Sequence, residues 1–255
     1  MVDLHCHILP GIDDGPATVD ESRAMAEFAV SEGITHVVAT PHSSGKFKFD
    51  FAKISRLREE LQSFIGDRLQ LATGCDFHLD PENIAAVRKN PKPYCINQRD
   101  YLLVEFNEFS IPEAMDQTLH QLQLAGLRPI VTHPERNAIL RSHPDRLVNW
   151  IRRGCYAQIT AGALTGDFGN NARLHAVEWL SRGLVHFVSS DAHNITNRPL
   201  LLRPAYDLVL AQLGKAVADA LFLHNPLAAF EGQTLPYIPE VPIEMPRRKK
   251  RFFFF

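Results

Sequence analysis

The sequence predicts an α/β fold built on parallel strands, either a barrel or a doubly wound sheet. Three observations lead there. Seven short apolar runs alternate with longer amphipathic stretches. The runs are mostly continuous in polarity, as strands buried on both faces should be. Strand-then-helix order is kept to the end of the chain, the pattern of repeated parallel β/α units.

The elements follow in order. Met1–Leu4 is the first strand. Thr18-x-x-Glu21 reads as a capping box; Ala24, Phe28 and Ala29 give the next helix an apolar face, and Gly33 ends it. Val37–Thr40 is the second strand. Phe51–Phe64 carries Ile54, Leu57, Leu61 and Phe64 on one side and stops at Gly66. Leu69–Thr73, Tyr101–Glu105, Pro129–Thr132, Tyr156–Thr160 and Val185–Ser189 are the remaining strands. Helices are expected over Glu113–Ala125, Pro144–Arg153, Asn171–Arg182 and Leu200–Leu213, closed by Gly126, Gly154, Gly183 and Gly214. No repeat or linker divides residues 1–240, so one domain is expected there, with an extended tail over 241–255.

Composition narrows the function. The 255 residues carry a formal charge of −2, so nucleic acid is not expected as a partner. Cys6, Cys75, Cys95 and Cys155 form no CxxC pair, which argues against a structural zinc site or a disulfide framework and points to the cytoplasm. No signal-peptide pattern opens the chain, and no run approaches the roughly 20 apolar residues of a membrane span. The tail ends PRRKKRFFFF. It is read either as a frayed terminus or as a weak contact for an anionic membrane surface.

The twelve histidines are the surplus. His5 and His7 end the first strand, His42 follows the second and Asp76 the third. Glu105 ends the fourth, His133 the fifth, and Asp191 and His193 the seventh; Asp14 lies in the loop after the first. In a parallel barrel these loops open on one face, so nine metal-capable groups converge. His5 and His7, like Asp191 and His193, are two apart and share a side of an extended chain. His36, His120, His143, His175, His186 and His224 fall away from that face. His78, two past Asp76, could point into the site but is expected instead to back the ligands or support the structure, and Asp13 to serve the turn at Gly15.

Imidazoles and carboxylates without thiolate suit manganese, iron or zinc. Nine donors exceed one ion's need, so two or three divalent ions are expected. Such sites favour phosphate-ester hydrolysis. Arg136 and Arg198, shortly after His133 and His193, are placed to grip a phosphate bidentately. The residues six past each cysteine are Ile12, Pro81, Tyr101 and Ala161, none of them the arginine a cysteine phosphatase needs. Metal-bound hydroxide is therefore the expected nucleophile.

The motifs HxH, DDGP, TPH, the strand-end Glu of LLVEF, THPER and SDAHN together resemble the polymerase and histidinol phosphatase (PHP) superfamily. They are most similar to its bacterial capsule and exopolysaccharide tyrosine phosphatases, over Met1 to about Asn225. The resemblance implies a distorted (β/α)7 barrel with a three-ion site at the C-terminal ends of its strands, usually studied with manganese. It implies dephosphorylation of phosphotyrosine on a tyrosine autokinase that controls polysaccharide export. By motif, His5, His7, Asp14, His42, Glu105, His133, Asp191 and His193 are its ligands, and Arg136 and Arg198 hold phosphate. Asp76 departs from the pattern, since the best-known members carry Glu there. Two other readings stand beside this one: another PHP phosphoesterase acting on a small monoester such as histidinol phosphate, and a non-catalytic regulatory module.

Overall fold

The computed structural model describes residues 1–241. Most of the expected tail, including its basic residues and phenylalanines, lies outside the described residues.

Nine strands occur among the described residues: β1 (Val2–Cys6), β2 (His36–Ala39), β3 (His42–Ser43), β4 (Gln70–Thr73), β5 (Asp76–His78), β6 (Tyr101–Glu105), β7 (Arg128–Thr132), β8 (Tyr156–Thr160) and β9 (Phe187–Ser189). Every pairing is parallel. One sheet runs β1-β2-β4, the other β3-β5-β6-β7-β8-β9.

Two of the seven expected strands, those over Val37–Thr40 and Leu69–Thr73, are each followed by a short further strand that was not expected. Thr40-Pro41 parts β2 from β3, because proline has no N–H to give a ladder. Gly74-Cys75 parts β4 from β5 at a close approach, where a Cβ on Gly74 would lie 3.0 Å from Val38. Hydrogen bonding continues across both breaks. The Gly74 N–H donates to Ala39 O at 2.8 Å and the Asp76 N–H to Pro41 O at 3.1 Å. Just past β9, the Asp191 N–H donates to His5 O at 2.9 Å, and the His7 N–H to Ala192 O at 2.8 Å. The chain beyond β9 thus lies alongside the end of β1.

The long helices are α1 (Val19–Ser31), α2 (Phe51–Ile65), α3 (Pro81–Lys89), α4 (Ala114–Leu124), α6 (Pro144–Arg152), α8 (Gly169–Ser181) and α9 (Arg203–Leu213); α5 (Ala138–Ser142), α7 (Ala161–Thr165), α10 (Lys215–Asp219) and α11 (Asn225–Glu231) are short. The capping box forms: the Glu21 N–H donates to Thr18 Oγ1 at 3.2 Å, and the Thr18 N–H to Glu21 Oε2 at 3.0 Å. Helix α3 was not expected, although Asp80 caps it and Pro81 takes its first turn, a recognisable start. Gly183 ends α8 at φ 67°, where a Cβ would also meet Glu240 O at 2.8 Å.

The core lies between strands and helices. Val104, Val131, Ile159 and Val188 are fully buried among Ile54, Leu61, Trp150 and Trp179. Each such aliphatic side chain contributes about 1.5–3 kcal/mol. Because all strands run parallel, their C-terminal ends open on one side, and the expected donors sit there.

Candidate metal centre

Strand register sets the first neighbours. His42 lies beside Asp76 across β3–β5, and His78 beside Glu105 across β5–β6. On β1, His5 follows Asp3 by two, with His7 two further on; all three are buried. Two of the later expected donors need unusual backbone. His133 takes φ 31° just past β7, and Asp191 takes φ 53° just past β9. Left-handed backbone at residues with a Cβ is costly and persists where surroundings impose it, often at functional sites. Here it turns both side chains back among the other donors.

The structure brings all nine expected donors together. His7, Asp14, His42 and His193 form one group, with Asp14 Oδ1 3.3 Å from His193 Nε2 and 3.4 Å from His42 Nε2. His5, His7 and Asp76 form a second; His5, His133 and Asp191 a third; Asp76, Glu105 and His133 a fourth. His5 Nε2 stands 3.4 Å from Asp191 Oδ1 and 3.6 Å from Asp76 Oδ2. His78 also joins, grouped with His42 and Glu105 and touching the Glu105 carboxylate, so it faces the centre directly.

Three groups that the sequence did not single out in these roles aim the donors. Asp13 accepts from His7 Nδ1 at 2.7 Å and from the His42 N–H at 3.0 Å, besides the expected turn contact with Gly15. Gln158 Oε1 lies 3.0 Å from His5 Nδ1, and its amide is oriented because Nε2 donates to Ile159 O at 2.8 Å. Asp3 accepts from the Ser190 N–H at 3.1 Å and from the Ser190 hydroxyl, which ties β1 to the turn that presents Asp191. The D-x-H-x-H spacing of Asp3, His5 and His7 was a sequence signal for the last of these.

With Nδ1 of both rings turned to outward acceptors, Nε2 of His5 and of His7 face the centre 3.4 Å apart. Two nitrogens bound tetrahedrally at about 2.1 Å to one ion are about 3.4 Å apart. Asp76 Oδ2, Glu105 Oε2, His42 Nδ1 and His193 Nε2 are buried without a well-aligned hydrogen bond. Such groups are paired or bound to metal in stable proteins. The donor set therefore fits divalent cations.

The field agrees. Burial works against charge on His5, yet Asp76 and Asp191 outweigh it and raise the ring to about 9. Burial likewise opposes charge on His42, while Asp76 and Glu105 raise it to about 11. Burial lowers His133 to about 3, with the Arg136 charge adding to the effect. Asp76 and Asp191 are buried, but neighbouring positive groups hold both well below the usual carboxylate range. Carboxylates kept ionised in a dry site favour cations.

Arg136 and Arg198 stand at the rim. Both donate to Asp191 Oδ2, Arg198 at 2.6 Å. Their guanidinium carbons lie 4.6 and 5.7 Å from the centre of the Phe168 ring. Glu135 turns away, accepting from the Thr160 N–H at 2.8 Å; burial pushes its carboxyl up to about 7. All four cysteines are free and buried, and burial pushes the thiols up, Cys95 and Cys155 to about 12. None has thiolate character. His186 stays apart, a buried ring whose Nδ1 accepts from the Ala157 N–H at 3.2 Å. No helix among the described residues is long and apolar enough to cross a membrane.

Comparison with known proteins agrees with this geometry. The chain is 38% identical to CapC of Staphylococcus aureus over 211 residues, 81% of this chain and 82% of that one. It is 32% identical to the tyrosine-protein phosphatase YwqE of Bacillus subtilis, over the full length of both. A crystal structure from work on YwqE of Bacillus subtilis and CpsB of Streptococcus pneumoniae, described as metal-dependent tyrosine phosphatases, superimposes with TM-score 0.89 at 30% identity. The match covers 96% of this chain and 100% of that one. The family model for capsular polysaccharide synthesis, CpsB/CapC, matches residues 1–231, and the chain belongs to that family.

Proposed function

We propose that this protein is a metal-dependent protein-tyrosine phosphatase. One observation carries the reading: buried imidazole and carboxylate donors converge at the strand ends, with two arginines at their edge. His5, His7, Asp14, His42, Asp76, Glu105, His133, Asp191 and His193 would hold two or three divalent ions, manganese first, iron and zinc as alternatives. Bound there, such ions lower the pKa of water and neutralise charge on a phosphate. Arg136 and Arg198 would leave Asp191 to grip the non-bridging oxygens of the incoming phosphate, whose charge spreads during transfer. Asp13 and Gln158 keep His7 and His5 aimed. The buried, protonated cysteines speak against a thiolate route.

The fold reading is a distorted (β/α)7 barrel over residues 1–240. Its support is that hydrogen bonding runs on from β2 and β4 towards β3 and β5 and that β1 is bonded to the segment after β9. The substrate class is a phosphotyrosine protein, which the names of the relatives support; a tyrosine autokinase of polysaccharide export is the proposed partner. The free cysteines support a cytoplasmic setting.

The test is turnover of a phosphotyrosine peptide against histidinol phosphate, with the metal varied. Preference for the peptide supports the reading. Preference for histidinol phosphate moves the protein to another phosphoesterase class, and no turnover of either supports a regulatory module.

A further inference from the structure

Arg136 and Arg198 come from different loops, after β7 and after β9, yet their charged ends sit side by side. Two guanidinium groups repel, so something must hold them together. Asp191 supplies one counter-charge, but as an expected metal ligand it is shared with the cations. The second partner is Phe168, in the turn between α7 and α8. Both guanidinium groups lie over its ring, at 4.6 and 5.7 Å from the centroid. The negative face of an aromatic ring attracts such cations, more strongly where water is partly excluded. Arg136 and Arg198 are both partly buried, with side chains 23% and 29% exposed.

The ring is itself fixed. Gly162 lies beneath it, and a Cβ there would meet Phe168 Cε2 at 2.9 Å. Phe168 packs on the main core cluster as well. A larger residue at position 162 would therefore push on the ring.

We infer that Phe168 is a positioning residue for the phosphate grip: its π face holds Arg136 and Arg198 as a pair while they exchange Asp191 for a substrate phosphate. The inference rests on the proposed role of the two arginines. It explains how two cations stay adjacent when their shared carboxylate turns to the metal ions.

The experiment compares Phe168→Leu and Phe168→Tyr with the wild type, each loaded with manganese. Leucine keeps apolar volume and removes the π face; tyrosine keeps the face. The readouts are the inhibition constant of inorganic phosphate against a small aryl phosphate, KM and kcat separately, and bound metal. Phe168→Leu should weaken phosphate binding about tenfold, chiefly through KM, with metal content unchanged. Phe168→Tyr should restore most of it. Wild-type phosphate binding in Phe168→Leu, or a loss that tracks loss of metal, would overturn the inference. Arg136→Ala and Arg198→Ala are measured alongside. If they bind phosphate normally, the arginine reading itself fails and takes this inference with it. If they are weakened while Phe168→Leu is not, only the role of Phe168 fails.

Discussion

Asp13 holds the imidazole of His7: its Oδ2 accepts from Nδ1 at 2.7 Å, so the ring's Nε2 is left to face the centre. The same carboxylate takes the His42 N–H and the Gly15 N–H. One side chain therefore fixes two expected ligands and the loop that carries Asp14. Partners of this kind typically govern metal affinity by 10–100-fold. Asp13→Asn should weaken metal binding by about that much, measured by titrating cation into stripped protein, while Asp20→Asn on the exposed face of α1 should not. Equal affinities for the two variants would reduce Asp13 to a turn former.

Asp191 is reached by His5, Arg136 and Arg198 at once. Asp191→Ala should lower turnover by at least about a hundredfold, comparable to deleting a key electrostatic group. It should also lower bound metal. The fold should survive, because the core lies between strands and helices and not at the strand ends. Wild-type turnover and metal content would remove Asp191 from the centre.

Arg136 should act on the phosphate and not on the metal. Arg136→Ala should lower kcat/KM for a phosphotyrosine peptide by roughly 2–4 kcal/mol, the range for one lost electrostatic donor. Arg136→Lys should recover only part, since lysine keeps the charge and loses the fork. Metal analysis should give the same content in both. Normal kinetics in Arg136→Ala would leave Arg198 as the phosphate-binding group.

His186 supplies a pH dependence separate from the centre. Burial lowers its pKa from 6.5 to about 4 in the folded protein. The unfolded chain therefore takes up a proton near pH 6.5 that the folded chain refuses. Stability present above that pH is lost as pH falls towards 4, by about 2 kcal/mol at pH 5. His186→Gln keeps an acceptor for the Ala157 N–H but does not titrate. Between about pH 7.5 and 5 its Tm should fall less than the wild type's. Parallel curves would show that His186 is not buried neutral.

Much of this was legible in the sequence because strand-end position needs only apolar runs and the residues after them. His5, His7, His42, Asp76, Glu105, His133, Asp191 and His193 were placed that way, and the structure groups them with Asp14 from the loop after the first strand. What escaped depends on contacts between distant segments. The breaks at Pro41 and Gly74 depend on how neighbouring strands approach. The left-handed backbone of His133 and Asp191 is one that His and Asp tolerate better than most residues, but nothing local in the sequence says that these two positions adopt it. Gln158 reads as one polar residue within a strand until His5, 153 positions away, is seen beside it. Phe168 reads as a loop aromatic until two arginines from separate loops meet over it. Helix α3 is different: Asp80-Pro81 announced it, but its short apolar face was hidden between two strands.

The central claim is that divalent ions held by these donors enable phosphotyrosine hydrolysis. The most direct measurement strips the protein with a chelator, then follows phosphotyrosine-peptide turnover and bound metal together as cation is returned. Cys6→Ser, Cys75→Ser, Cys95→Ser and Cys155→Ser variants are run alongside. The account predicts no turnover when stripped, recovery as two or three ions bind, and activity largely retained in every cysteine variant. Full turnover in the stripped protein would contradict it.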